Sequence, residues 1–479
     1  MYNFYISNNI KTRWFILYGI IIHTIAVYFS IGYYNSDEHY QIVGPLEKLL
    51  NIETKLTWEF DSQIRPWLQP YFYFFIIKIF NFLDIHNPFT LILILRIISS
   101  LIGFISIFYL YTYLKDKFNL NNNISKYLIF GFWFYAFLHA RTSSENLSIS
   151  MLIFGLIFFD KFIFANEKRE KFLLSLTSGL FLGLSMVLKF QILTSVIFIY
   201  IWFLINRFSI LNFRYVFISG LIIIAVLLIG LVLDYFGYGN LNNTYYNYYY
   251  ANFVAKWFES FGRDPWWHYL TLVLRNFFPP VSLVIIISFG YFWFKNLNNL
   301  FTYVSLPVFI FLSVLSHKEL RFIFPILIFT PFFLSYFIGN TTIFFAKKII
   351  TNCIVVLNFL FIIILFIPAT EEVKIYKFIF DNNDSINKIY YYDDNPYIID
   401  DLEPRFYTSY LPEIKKYNKK ENYKDYYLII RDYNFYIETI NKKDCSSVFS
   451  IYPKIVNLNK NWRQRKFNWY IVYCNGANF

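Results

Sequence analysis

Charge is what this chain has least of. Of 479 residues only 15% are Asp, Glu, Lys or Arg, against about 25% in an ordinary soluble protein, and the shortfall excludes a cytosolic globule. Cysteine is scarce as well. Cys353, Cys445 and Cys474 permit one disulfide at most and show no metal-ligand spacing. There is no internal repeat. A disordered chain is excluded from the other side, because 57% of residues are hydrophobic and mean hydropathy is +0.42. Aromatics are abundant, with 60 Phe and 43 Tyr, which fits a polytopic membrane protein with lipid-facing and interfacial rings. A net charge of +12 would point to nucleic acid in a polar chain. At this hydropathy it reflects cytoplasmic Lys/Arg loops, and no nucleic-acid partner is expected.

Residues 16–29 are apolar and follow Lys11 and Arg13. No small-residue cleavage site follows, so the segment reads as a first transmembrane helix with its N-terminus inside rather than a signal peptide. Residues 35–65 are polar. Residues 66–82 are apolar but short for a ~30 Å hydrocarbon core, and contain Pro66, Gln69, Pro70 and Lys78, so they read as an amphipathic helix at the interface. Further apolar segments lie near 89–114, 126–140, 146–165, 171–188, 191–206, 214–233, 279–295, 300–316, 321–338 and 346–367. With the first, that predicts about 11 transmembrane helices. The loops then expected inside are Lys115 to Lys126, Glu167 to Lys171, Arg207 to Arg214, Lys295 and Lys347-Lys348, and all are basic. A full crossing by 66–82 would turn every one of them outward, so the charge pattern supports the interfacial reading.

That topology gathers the polar clusters on one side. Asp37-Glu38, Arg141 to Glu145, Lys189, residues 234–268 and His317 to Arg321 all fall on the external face. Snorkelling explains single Lys or Arg residues at helix ends. It explains poorly why acids and His join them, and a shared site is expected. After Pro368 the chain turns polar. β-rich runs at 388–392, 426–431, 447–452 and 469–474 and a helix-like stretch at 435–442 predict a small α/β domain, which an odd number of spans places outside. If so, Cys445 and Cys474 face an oxidising compartment, where they can pair. The run Tyr245 to Tyr250 reads as an interfacial aromatic belt.

The clusters suit chemistry on sugars and phosphates. A carboxylate such as Asp37 or Glu38 can act as general base on a sugar hydroxyl. Trp58 and Glu59, with Arg65 beside Trp67, offer a ring for a sugar to stack on and a fixed cation, although interfacial anchoring would use the same residues. His317, Lys318 and Arg321 suit a lipid-linked phosphate, since such recognition is charge-assisted, and Glu319 would partly neutralise them and hold their geometry.

At His317-Lys318-Glu319-Leu320-Arg321-Phe322, with Pro325 following, the chain resembles glycosyltransferase family 22, the lipid-phosphate-mannose-dependent mannosyltransferases of GPI-anchor and N-glycan assembly and their bacterial relatives. Other stretches are similar to the family's motifs in order: Asp37-Glu38, Thr57-Trp58-Glu59 with Arg65, Arg141-Thr142 with Glu145, Asp234-Tyr235 with Gly237-Tyr238-Gly239, and Phe261-Gly262 with Pro265-Trp266-Trp267-His268-Tyr269. Two departures stand out. Asn35-Ser36 occupies the place of the usual His-Pro, and Asp264 that of a His.

The resemblance implies a GT-C fold, so that with the apolar segments and polar tail the chain is expected to be a polytopic α-helical membrane protein of about 11 spans with a small C-terminal α/β domain. Composition and hydropathy place the domains at 1–369, with an external loop at 33–86 and a larger one at 234–278, and at 370–479, the latter larger than the tail expected of the family. The implied partners are a polyprenyl- or dolichyl-phosphate-mannose donor, a glycan or glycolipid acceptor and membrane lipids. Asp37, with Glu38, is the implied base. His317, Lys318, Arg321, Arg141 and Lys189 are implied to hold the donor phosphate. Trp58, Glu59, Arg65, Glu145, Asp234, Trp266, His268 and Glu319 are implied to contact substrate. No metal or other cofactor is expected. The setting would be the bacterial inner membrane with the site on the external side, or the endoplasmic reticulum membrane in a eukaryote. Transfer of another sugar to a cell-envelope lipid, and a lipid or glycan flippase or transporter, remain as alternatives.

Overall fold

The computed structural model describes residues 11–342, 344–386, 388–418, 423–441, 444–453 and 468–475. Lys442, the end of the expected helix-like stretch, lies outside them. The chain divides into two compact units. One comprises the residues up to Tyr28, Thr57–Tyr73 and Ile94–Phe366; the other comprises Phe29–Leu56, Phe74–Leu93 and the residues from Ile367 on.

The first unit is helical. Among the described residues, six helices are long and apolar enough to cross a membrane: Thr12–Phe29, Pro88–Phe118, Ser144–Phe164, Lys168–Leu188, Ile210–Tyr238 and Lys347–Phe366. The pair Leu320–Leu327 and Thr330–Asn340, bent by 52°, adds a seventh if it is one span. Phe190–Asn206, Val281–Lys295 and Leu300–Val314 are apolar but shorter. The expected segment 126–140 is two helices, Asn123–Gly131 and Trp133–His139. Phe132 between them is extended, and Asn358 closes the break: its Oδ1 accepts from the Trp133 N–H at 2.9 Å while its amide donates to the Gly131 carbonyl at 2.8 Å. A backbone break buried in apolar surroundings needs such a partner. The eleven hydropathy peaks thus all fall on helices, but fewer than eleven helices are long enough to span alone.

Small residues set the helix packing, as they do where lipid supplies no hydrophobic drive. A methyl group added at Gly179 would lie 2.5 Å from the Ser219 carbonyl oxygen, and one at Gly183 would lie 2.8 Å from Val226 Cβ. The Ser178 hydroxyl donates to the Gly155 carbonyl at 3.0 Å. The helix Leu68–Phe82 exposes Phe72, Phe75, Ile79 and Phe82 at helical spacing, the apolar face that a helix lying at an interface requires.

The second unit contains a five-stranded sheet. Its strands are β1 (Ile389–Tyr391), β2 (Lys415–Lys416), β3 (Tyr426–Ile430), β4 (Cys445–Ser450) and β5 (Tyr470–Cys474), in the order β2-β1-β3-β5-β4. β1 runs parallel to β2 and β3, and β5 antiparallel to β3 and β4. Leu428, Ile430 and Val472 face Phe435 and Tyr436 of the helix Tyr433–Ile440, with Tyr436 stacked on Tyr470 at 3.8 Å. Asp432 caps that helix by accepting from the Phe435 N–H at 2.9 Å. The four expected β-rich runs correspond to β1, β3, β4 and β5. β2 was not foreseen, because two exposed lysines carry no apolar alternation. Cys445 and Cys474 face each other across β4 and β5 and form a disulfide.

Candidate active site

Charged side chains join four stretches of the first unit. Ser143, in extended conformation, precedes the helix Ser144–Phe164, so Glu145 stands in its first turn. Lys189 ends the helix Lys168–Leu188 with an extended backbone. Its ammonium pairs with the Glu145 carboxylate, at side-chain exposures of 10% and 9%. Burial pulls the Lys189 ammonium below the usual lysine range; Glu145 opposes that shift, while the neighbouring positive charges of Arg321 and Arg65 add to it. Arg321 reaches both oxygens of Glu319, at 3.0 and 2.6 Å. Arg65 pairs with Glu59. Three cations, each held by its own carboxylate, therefore form one electrostatic network.

Arg65 is positioned by the helix Ile210–Tyr238. The Trp67 N–H donates to Asp234 Oδ1 at 2.8 Å, and the Tyr238 hydroxyl donates to the Arg65 carbonyl at 2.7 Å. Gly237 lies so close to the Trp67 indole that no side chain fits between them. Asp234 is fully buried, and these contacts give it the work of fixing residues 65–67. Arg141 is also buried, its guanidinium 5.5 Å from the Phe137 ring centre. Asn146 fastens its turn by donating to the carbonyls of His139 and Arg141 at 2.9 and 2.8 Å, and Gln69 donates to the Thr142 carbonyl at 2.7 Å.

Asp264 gathers the remaining charged residues. The Lys318 N–H donates to Asp264 Oδ2 at 3.0 Å, the Lys318 ammonium to the Asp264 carbonyl at 3.1 Å, and the Asp264 N–H to the Ser316 carbonyl at 2.7 Å. His268 and His317 approach the same carboxylate at 3.7 and 3.9 Å. His317 Nε2 lies 3.2 Å from Glu319 Oε1, which links this group to Arg321. An aromatic shelf adjoins it: Trp58 stacks with Phe261 at 6.5 Å, and Phe261 lies 5.8 Å from His317. Trp266 is 65% exposed, its ring perpendicular to that of Trp267 at 5.7 Å.

Sequence reasoning missed two residues here. Asp264 was legible only as a departure from the family motif. Tyr248 lay in the run expected to be a belt, but the run divides at helical spacing. Tyr245 and Tyr248 pack on Phe190, at 5.3 and 5.6 Å, while Tyr246, Tyr249 and Tyr250 are exposed. The charges of Arg65, Glu59 and Arg321 all act on Tyr248. Among the described residues, no group of three or more His, Cys, Asp or Glu is arranged to hold a metal ion.

Asp37 and Glu38 belong to the second unit, in the short helix Ser36–Glu38. Asn35 caps it, its Oδ1 accepting from the Glu38 N–H at 3.1 Å. Glu38 is 3% exposed and its Oε2 accepts from the Tyr34 N–H at 2.7 Å. The two side chains thus close the first turn on each other, much as a capping box does. Asp37 is half-buried.

The Alg9-like mannosyltransferase family matches residues 14–397. The mannosyltransferase APTG1 of Arabidopsis thaliana is 27% identical over 303 residues, covering 62% of this chain and 53% of that protein. GPI mannosyltransferase 3 of Debaryomyces hansenii is 24% identical over 375 residues, covering 74% of this chain and 64% of that one. The matches thus span only 53% and 64% of these relatives' own length. Among solved structures, ArnT of Cupriavidus metallidurans bound to undecaprenyl phosphate superposes with a TM-score of 0.59 over 97% of this chain and 98% of that one, at 9% identity. This likeness shows a shared GT-C fold. The chain is a multi-pass membrane protein and belongs to the Alg9-like mannosyltransferase family.

Proposed function

We propose that this chain is an inverting mannosyltransferase that moves mannose from a polyprenyl- or dolichyl-phosphate carrier to a hydroxyl of a glycan or glycolipid on the external or lumenal face. The observation that carries this reading is the network of Arg65, Lys189 and Arg321, each fixed by a carboxylate. Apart from Lys189, its members come from stretches that resemble, in order, the motifs of the mannosyltransferase family. In the proposed reaction the acceptor oxygen attacks the anomeric carbon from the face opposite the phosphate. The carbon–oxygen bond to the phosphate breaks, and the lipid phosphate departs with the electron pair. Asp37 takes the acceptor's proton. Arg321, His317, Lys318, Arg141 and Lys189 meet the charge that grows on the leaving phosphate, which as a phosphate monoester needs no general acid. Trp58, Glu59, Glu145, Trp266, His268 and Glu319 line the sugar and acceptor side, and Asp234 serves by fixing Arg65.

The disulfide of Cys445 and Cys474 supports an external placement of the sheet, since such bonds persist in oxidising compartments. Arg96, a charge within an apolar helix, donates to the Ala140 and Ala26 carbonyls at 3.2 and 3.0 Å, an anchoring contact rather than a transport relay. One observation keeps a second reading open: Asp264, a departure from the family motif, sits at the centre of the histidine and lysine cluster, where it would alter which sugar or acceptor fits. Assaying the purified chain against a panel of radiolabelled polyprenyl-phosphate sugars tests both. Transfer from the mannose carrier, unchanged by EDTA, is expected. Transfer from another carrier alone would favour the second reading, and none from any would return the chain to the transporters.

A further inference from the structure

In the second unit, residues far apart in sequence hold the Asp37 loop from several points. The Thr370 hydroxyl accepts from the Tyr33 N–H at 3.0 Å and donates to the Tyr33 carbonyl at 2.8 Å. Glu47 Oε1 accepts from the Phe406 N–H at 2.7 Å and lies 3.2 Å from His39 Nε2, both side chains 1% exposed. Between these fastenings stands a tight turn. Ile399 and Leu402 exchange backbone hydrogen bonds at 2.8 and 3.1 Å around Asp400 and Asp401, whose φ angles are 51° and 62°. A two-residue turn with both central residues left-handed is the hairpin type that normally recruits Gly or Asn. Two successive residues with a Cβ adopt it here at a conformational cost, and such strain often marks a functional element.

The turn is aimed at the catalytic loop. Asp400 Oδ2 accepts a hydrogen bond from the hydroxyl of Ser36, the residue before Asp37. The Tyr40 hydroxyl, three residues after Asp37, lies 3.1 Å from both the Ile399 and Leu402 carbonyl oxygens. Asp37 is thus bracketed by two residues tied to one rigid turn. We propose that Asp400, on the 399–402 turn, is a positioning residue that sets the direction of Asp37 through Ser36, so that the C-terminal part of the chain completes the catalytic loop. This rests on the reading of Asp37 as the base. Asp400 lies beyond residue 397, where the family match ends.

The test uses the full chain reconstituted in lipid, with radiolabelled polyprenyl-phosphate mannose as donor and a membrane glycolipid extract as acceptor. Ser36→Ala, Asp400→Ala and the double variant should each lower kcat roughly tenfold, the order of loss that small misplacement produces, with the donor KM unchanged. The double variant should be no worse than either single one, because both remove the same bond. Asp400→Asn should retain most of the rate, since its amide oxygen still accepts from Ser36. Amide exchange across residues 34–40, followed in the same proteins, should rise in Asp400→Ala, and this is read even where no transfer is detected. Losses that multiply in the double variant, an Asn variant as poor as Ala, or unchanged exchange would overturn the proposal. If Asp400→Ala does not fold, Ser36→Ala removes the bond from the unstrained side and decides. Asp37→Asn measured alongside separates the two ideas: near-normal transfer there removes the base assignment, while coupling between Ser36 and Asp400 is judged on its own.

Discussion

Asp37 and Glu38 adjoin in the chain, yet the fold separates their work. Glu38 is buried and spends its carboxylate on the Tyr34 N–H, whereas Asp37 is half-buried. Asp37→Asn keeps the shape but cannot accept a proton at neutral pH, so kcat should fall roughly 10²–10⁴-fold with donor KM little changed. Glu38→Gln keeps an amide oxygen that can still accept from the Tyr34 N–H, so it should cost well under the ~1 kcal/mol of a lost cap, leave the unfolding temperature nearly unchanged and lower the rate far less than Asp37→Asn. A normally inserted Asp37→Asn protein with near wild-type transfer would move the base elsewhere. Arg321 belongs to a different class. Its removal leaves Glu319 without the bidentate partner and deprives the leaving phosphate of a cation, so Arg321→Ala should raise donor KM and lower kcat together, by roughly 10²-fold or more in kcat/KM. A change confined to KM would make Arg321 a ground-state contact only. Such pairings were hard to foresee, because Lys189 and Glu145 are 44 positions apart and each alone resembles a snorkelling or capping residue.

Among elements, the three helices Ser144–Phe164, Lys168–Leu188 and Ile210–Tyr238 carry Glu145 and Asp234 and end at Lys189, so their spacing sets the site. That spacing depends on Gly179 and Gly183. Gly179→Val would press side-chain carbons against the Ser219 backbone and Ile222, neither of which can yield as a flexible chain end would. Overpacking of this kind costs about 1–3 kcal/mol, and thermal unfolding in detergent should show it. Gly290→Ala meets nothing within 4 Å and should leave the unfolding temperature unchanged. Equal behaviour of the two variants would count against helix spacing as the constraint. Hydropathy located these helices because burial in lipid imposes one long apolar signal on each. It was blind to the break at Phe132, because the polar group that closes it, Asn358, arrives from a helix more than 200 residues later. The sheet's central strands were legible from their β-branched and aromatic runs, while β2 was lost for want of any apolar residue.

For the molecule as a whole, the proposed chemistry needs the network of Arg65, Lys189 and Arg321 on the external face. The orientation proposed rests on the sign of the loops, since Lys115, Lys117, Lys168 and Arg169 are expected to oppose translocation. The structure identifies exposed positions at which to test it: Ser260 and Ser409 in regions expected outside, and Asn121 and Asn166 in basic loops expected inside. Cys353 is the free thiol among the described cysteines, so Cys353→Ser gives a background that keeps the Cys445–Cys474 bridge. In that background Ser260→Cys and Ser409→Cys should react with a membrane-impermeant maleimide in intact cells or sealed lumen-out vesicles. Asn121→Cys and Asn166→Cys should react only after permeabilisation. Labelling at 121 and 166 with protection at 260 would invert the protein in the membrane and put the charged network on the side where the basic loops were expected, so the proposed site would lose its access to an external donor. Labelling at 260 with protection at 409 would keep the network outside but separate it from the sheet. Because Thr370, Asp400 and Phe406 tie the loop carrying Asp37 to the rest of the second unit, that outcome would take Asp37 off the external face and remove it as the base for an external donor.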